Sequence, residues 1–164
     1  MTTGLDFHEL LAYTEEENRR WKRWLEQHPE ALAVSAGIAG EDDVAGLLVH
    51  IFAVELRYAE RITGLPVSEY DKLRSANLDQ IFGIAEDARK KFKQFLATAK
   101  QQDLDQVITF ETRSAGMVSA SKRKILAHAM LHGVRHWAQI ATALRKAGYK
   151  QDWQHDFLFT QALQ

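Results

Sequence analysis

The chain has 164 residues, the length of one domain, and its 21 basic and 22 acidic side chains give a formal net charge of −1. Such a balance lacks the basic excess typical of nucleic-acid surfaces, so we expect no nucleic-acid partner. The chain has no cysteine, which excludes disulfides, thiolate ligands and a cysteine nucleophile.

The distribution of apolar residues indicates a protein that does not enter membranes. No apolar run approaches the roughly 20 residues of a membrane-spanning helix, and the N-terminal stretch turns acidic where a signal peptide would be apolar. We therefore expect a cytoplasmic protein with no membrane partner. The only prolines, Pro29 and Pro66, each follow a long helical pattern, so we interpret residues 1–164 as one all-α domain.

Apolar residues that recur every three or four positions predict four long helices. The first three cover residues 5–27, 41–63 and 78–100, and the last runs from a cap at Ser119 or Ser121 to Gly148. The acidic residues 41–43 are predicted to form the first turn of the second helix. Residues 30–40 are predicted to be a connector with at most one loose turn, and residues 66–77 a polar crossover loop.

Two further segments differ from the helical pattern. Residues 107–110 are strand formers and Gly116 can turn the chain, so a short β-hairpin or irregular insertion is predicted before the last long helix. The tail after Gly148 is aromatic, and we expect it to pack back over the mouth of the bundle. Trp137 is expected to be half exposed at the bundle edge or in an interface.

The histidines are the candidate functional residues. His128, His132 and His136 are spaced by four, so they lie along one side of the last helix together with apolar residues. His50 points inward from the second helix. Buried imidazoles need partners, and a metal ion is one such partner. We take His50, His132 and His136 as candidate ligands of an open metal site. The spacing also leaves His128 with His132 as the chelating pair, and a hydrogen-bonded histidine core without metal is the alternative.

Two polar residues near the candidate ligands have predicted supporting roles. Gln139 follows His136 by one turn and is expected to hydrogen-bond a ligand or a bound water. Glu55 is a candidate catalytic residue that would orient a ligand imidazole or act as a general base on metal-bound water. A salt bridge with an arginine is the alternative role for Glu55.

These residues together resemble the DinB/YfiT family of helical-bundle proteins. The matching segments are Leu10-Leu11-Ala12-Tyr13, then Leu47, His50 and Glu55, and finally His132, His136, Gln139, Ile140, Leu144, Arg145 and Gly148. Trp137-Ala138 stands where the family frequently has Arg-Gly. The resemblance implies an up-down-down-up four-helix bundle, often a homodimer. It also implies a divalent metal held by His50, His132 and His136, with His128 as a neighbour.

The resemblance further implies metal-dependent transfer or isomerisation that uses a low-molecular-weight thiol such as bacillithiol or mycothiol. We expect Zn²⁺, with Ni²⁺ or Fe²⁺ as alternatives, and a small-molecule substrate. Because the chain has no cysteine, any thiol must come from outside it. The competing hypotheses are a non-catalytic metal-binding or stress-response module, and an interaction bundle with a hydrogen-bonded histidine cluster.

Overall fold

The computed structural model describes residues 4–38 and 40–161, which are mostly helical. Its helices are α1 (Phe7–Gln27), α2 (Val44–Thr63), α3 (Leu78–Thr98), the short α4 (Gln101–Asp105) and α5 (Lys122–Lys146). One antiparallel hairpin pairs β1 (Ser35–Ile38) with β2 (Glu41–Asp43), and a second pairs β3 (Val107–Thr112) with β4 (Gly116–Ser121). The predicted all-α class with a hairpin before the last long helix is therefore confirmed at that level.

Side-chain caps explain where the long helices begin. The carboxylate of Asp6 accepts a hydrogen bond from the Glu9 amide, and the Glu9 side chain accepts from the Asp6 amide, which forms a capping box on α1. Asn77 caps α3, as predicted, and Ser121 rather than Ser119 caps α5. Gly64 ends α2 in the left-handed conformation, at φ 73°, which a residue without a Cβ adopts readily.

The predicted start of the second helix was wrong. Residues 41–43 form strand β2, in which Glu41 pairs with Ile38 and Asp43 with Ser35. Asp43 has an extended backbone, and its carboxylate accepts a hydrogen bond from the Gly46 amide at 2.8 Å. Asp43 is therefore the N-cap residue, which itself is not helical, and the helix begins at the next residue, Val44. The predicted loose connector is accordingly a 3₁₀ turn, Pro29–Ala33, followed by β1.

The third helix also ends earlier than predicted. It stops at Thr98, because Ala99 and Lys100 both have extended backbones. The short helix α4 then begins at Gln101, where the Asp103 carboxylate accepts from the Lys100 amide at 2.8 Å.

The long helices pack around a shared core. Both α1 and α2 contact α3 and α5, so each long helix has two long-helix neighbours. Trp137 on α5 is buried and stacks on Trp21 of α1, with ring centroids 5.1 Å apart. The expectation that Trp137 is half exposed was therefore wrong, because the α1 indole supplies an apolar partner inside the chain.

The described part of the tail lies along α1 instead of over the mouth of the bundle. Tyr13 donates a hydrogen bond to the His155 carbonyl at 3.2 Å, and the Trp153 indole donates to Glu17 at 3.2 Å. The tail prediction was wrong in its position, because these α1 partners hold it there. Among residues 4–38 and 40–161, no helix combines the length and the hydropathy that a bilayer crossing requires.

Candidate metal centre

The close approach of α2 and α5 brings the candidate ligands together. Gly133 on α5 faces α2, where an added Cβ would lie 3.0 Å from a Glu55 carboxylate oxygen and 3.6 Å from Ile51. A side chain at this position would require the buried Glu55 carboxylate to shift. Gly133 directly follows His132, so the two helices are close at the position where the histidines of α5 face His50 of α2.

The three predicted ligands form one cluster. The Nε2 atom of His132 lies 3.1 Å from the Nε2 atoms of both His50 and His136. One nitrogen from each ring lies within 4.8 Å of the others, a spacing at which a single ion could contact all three. His128 is exposed and lies outside this group; its ring centroid is 5.6 Å from that of His132, and its ring is nearly perpendicular to that of Tyr58. The chelating pair His128–His132 therefore has less geometric support than the triad.

Hydrogen bonds on the far side of two rings orient their free nitrogens. Tyr70 donates its hydroxyl hydrogen to Glu41 at 3.1 Å, so its oxygen can accept from His50 Nδ1 at 3.2 Å. His136 Nδ1 lies 2.5 Å from the side-chain oxygen of Gln139, which confirms the predicted hydrogen bond. With both Nδ1 atoms protonated, the Nε2 lone pairs of His50 and His136 face His132.

The donor set fits a metal ion better than it fits a closed hydrogen-bond network. The Nε2 atom of His132 carries at most one hydrogen, so it can donate to His50 or to His136 but not to both. Its Nδ1 atom is buried without a hydrogen-bond partner among the described residues. The cluster therefore leaves hydrogen-bonding groups unsatisfied. Convergent imidazole nitrogens are also the ligand type that late divalent transition metals prefer.

The surroundings keep the cluster uncharged at neutral pH. Burial lowers the pKa of His132 to about 3, and the other imidazoles of the cluster and Arg135 add to that effect. Burial also lowers the pKa values of His50 and His136; Arg113 and Arg135 add to this effect at His50. At His136 the Gln139 hydrogen bond acts in the opposite direction, while His50 and Arg135 lower the pKa further. A metal ion would therefore meet neutral imidazoles and would not have to displace protons.

Glu55 occupies a different place from the histidine cluster. It is fully buried and accepts a hydrogen bond from Arg89 at 2.8 Å, and Arg89 also donates to Thr14. Burial raises the pKa of Glu55, while the charge and hydrogen bond of Arg89 act in the opposite direction. Glu55 does not line the histidine cavity. The predicted alternative, an ion pair with an arginine, is present, and the general-base role stays a prediction.

A cavity of about 590 Å³ opens onto the triad. Helices α2 and α5, both hairpins and Tyr70, the first residue of a 3₁₀ turn (Tyr70–Leu73), contribute to its wall. Six polar residues of this cavity had no predicted role at the site: Glu41, Arg57, Arg61, Tyr70, Arg113 and Arg135. Arg57 and Arg61 follow His50 by seven and eleven residues, and this helical spacing could have identified them. Arg113 and Tyr70 lie in turns, where no periodicity indicates direction.

Comparison with known proteins agrees with this arrangement. The model of the DinB family matches residues 1–163. No curated protein matches the sequence. Since the match extends over nearly the whole chain, the protein belongs to the DinB family.

Proposed function

We propose that this protein binds a divalent metal ion through His50, His132 and His136 and uses it to activate a small-molecule thiol for transfer to an electrophile. The observation that supports metal binding is the convergence of three neutral imidazole nitrogens on one point. When bound, the ion would lower the pKa of a thiol or a water held beside it. Zn²⁺ is our first choice of ion, with Ni²⁺ and Fe²⁺ as alternatives.

The residues of the chain supply position and space for this chemistry. Tyr70 and Glu41 hold the His50 ring, and Gln139 holds the His136 ring, so that both offer their Nε2 atoms. Three protein ligands leave a coordination position open, which is the usual design of a catalytic site. The adjoining cavity of about 590 Å³ has room for a small molecule. The thiol must be external, because the chain has no cysteine.

A non-catalytic metal-binding or stress-response module is the second candidate function. The observation that favours it concerns Glu55, the residue predicted to act as a general base. Its carboxylate is engaged by Arg89 and lies outside the cavity wall. In this alternative the ion would join α2 to α5 and stabilise the fold, without turnover.

The proposal also covers the bundle topology, the oligomeric state and the cellular location of the protein. The family resemblance implies an up-down-down-up bundle that is often a homodimer, and the absence of cysteine from the sequence is consistent with a cytoplasmic location. Trp137 was expected at the bundle edge or in an interface, but it stacks on Trp21 of α1 in its own chain, and the tail packs against the same helix. The homodimer therefore rests on the family resemblance, and sedimentation of the purified protein would test it.

The decisive experiment measures the metal content of the untagged protein by mass spectrometry. We expect about one ion per chain in the wild type, because the three imidazoles form one site. The variants His50→Ala, His132→Ala and His136→Ala should each lose most of it. His128→Ala, which removes an exposed histidine one turn before His132, is the matched control and should retain it.

Two results would contradict the proposal at different levels. Failure of the wild type to bind Zn²⁺, Ni²⁺ or Fe²⁺ would reject the metal site and favour an interaction bundle. Stoichiometric metal without metal-dependent consumption of any thiol, across a panel of thiols and electrophiles, would reject the enzyme and favour the non-catalytic module.

A further inference from the structure

The cavity beside the triad carries an excess of positive charge. Among the described residues that line it, four are arginines, namely Arg57, Arg61, Arg113 and Arg135, and one is a carboxylate, Glu41. Glu41 is already occupied by the Tyr70 hydroxyl and lies 3.5 Å from His50 Nδ1. Within residues 4–38 and 40–161, none of these four arginines forms an ion pair with a carboxylate.

The arginines on α2 are half-buried and fixed by neutral groups. Arg57 donates to the Ser68 carbonyl at 3.0 Å, and Arg61 donates to the Glu111 carbonyl at 3.3 Å. Arg61 also lies over the Phe110 ring, 4.7 Å from its centroid. Each guanidinium has five N–H donors, and these contacts use only some of them. The guanidinium groups of Arg57 and Arg61 are therefore held in place and keep N–H donors that these contacts do not use.

The arginines at the exposed rim of the cavity come from two other elements. Arg113, in the turn between β3 and β4, lies over the Tyr70 ring at 4.1 Å from its centroid. The hydroxyl of that ring contacts His50, so Arg113 is connected to the triad through one side chain. Arg135 precedes His136 on α5 and has no hydrogen-bond or ring partner among the described residues.

Like charges from three separate elements are costly to hold around one cavity unless a counter-charge relieves them. Carboxylates and phosphates do so well, since guanidinium groups bind them with two parallel charge-assisted hydrogen bonds. We propose that this cavity binds the oxyanion of a small molecule, a carboxylate or a phosphate, through Arg113 and Arg135, while another part of the same molecule reaches the histidine triad. This inference rests on the proposed function and specifies its substrate class as anionic.

The test is a calorimetric titration of the Zn²⁺-loaded full chain with two matched thiols, 3-mercaptopropionate and its neutral amide. The wild type should bind the acid about tenfold more tightly than the amide, as expected for one charge-assisted hydrogen-bonded pair. In Arg113→Gln/Arg135→Gln the two thiols should bind about equally. Both positions are exposed, so the substitutions should leave the fold intact, which circular dichroism would verify.

Arg145→Gln is the matched control. It removes the same charge from an exposed position on the same helix, outside the cavity, and should retain the preference for the acid. Equal binding of the acid and the amide by the wild type would overturn the inference. A preference that survives in the double variant, or that Arg145→Gln also abolishes, would overturn it as well, because the charge effect would then not belong to Arg113 and Arg135.

Additional titrations separate this inference from the metal proposal and identify the oxyanion. If the wild type holds no ion but still binds propionate through Arg113 and Arg135, the anion site stands and the metal proposal fails. If the wild type binds the ion but binds the acid no more tightly than the amide, the metal proposal stands and the anion site fails. Competition by inorganic phosphate at a lower concentration than acetate supports a phosphate, and the reverse order supports a carboxylate. Competition by neither would overturn the inference.

Discussion

His132 has the most strongly shifted pKa in the cluster, and this has a consequence for stability. Burial and the neighbouring imidazoles lower its pKa from the ordinary 6.5 to about 3 in the folded protein. Between these values the unfolded chain binds a proton that the folded chain does not. The stability contributed by neutral His132 is therefore complete above about pH 6.5 and is lost as the pH falls through the folded pKa.

We predict that the free energy of unfolding of the metal-free protein decreases as the pH falls from 7.5 to 5. His132→Gln should reduce this slope, because glutamine has no proton to gain on unfolding. Urea unfolding at several pH values would measure it. His8→Gln, at an exposed position on α1, is the control and should keep the wild-type slope. An unchanged slope in His132→Gln would show that other groups cause the pH dependence.

The sequence predicted which histidines cluster for a simple geometric reason. His132, His136 and Gln139 lie on one helix, where spacings of three and four residues determine which side chains are neighbours. The inward face of α2 identified His50 in the same way. Tyr70 and Arg113 reach the cavity from a loop and a turn, and their directions depend on backbone angles that no periodic pattern encodes.

Among the elements, the four long helices meet at one buried ion pair. Glu55 on α2 bonds Arg89 on α3, and Arg89 donates to Thr14 on α1 and to Met130 on α5. Glu55→Gln would leave the Arg89 charge buried without its counter-charge. We predict a loss of about 3–5 kcal/mol in the free energy of unfolding, the usual cost of breaking a buried pair.

The double variant Glu55→Leu/Arg89→Met removes both charges and should recover most of that loss. Urea unfolding of the three proteins would measure the effect. Metal content should remain near the wild-type value in folded Glu55→Gln, since Glu55 is not one of the clustered nitrogen donors. Loss of metal from a folded variant would instead assign Glu55 a role at the site.

The hairpin β1–β2 shows why an element can escape prediction. Its strands have only four and three residues, and β1 is the sequence SAGI, in which small residues give little strand signal. The acidic residues 41–43 suit a first helical turn, but Asp43 caps α2 from outside. This difference matters for the site, because Glu41 then lies outside the helix and contacts Tyr70 and His50.

For the whole molecule, the candidate site and the C-terminal tail contact different parts of the chain. The triad and its cavity are built from α2, α5, the two hairpins and the loop that carries Tyr70. The tail contacts α1, where the rings of Trp153 and Trp21 pack in a T-shaped arrangement with centroids 5.0 Å apart and the Trp153 indole nitrogen donates to Glu17. Helix α1 contributes no residue to the described cavity wall.

We therefore predict that a chain ending at Lys150 is less stable but retains its metal site. Removing the tail uncovers Trp21 and takes a hydrogen-bond donor from Glu17, so the free energy of unfolding should fall by roughly 2 kcal/mol or more. Denaturant unfolding measures that loss, and mass spectrometry of the folded protein should still find about one ion per chain. Leu158→Ala, at a side chain that is 82% exposed, is the control and should change stability by less than about 0.5 kcal/mol. If the shortened chain folds but holds no metal, the tail must shape the site through the Trp21–Trp137 stack, since Trp137 directly follows His136.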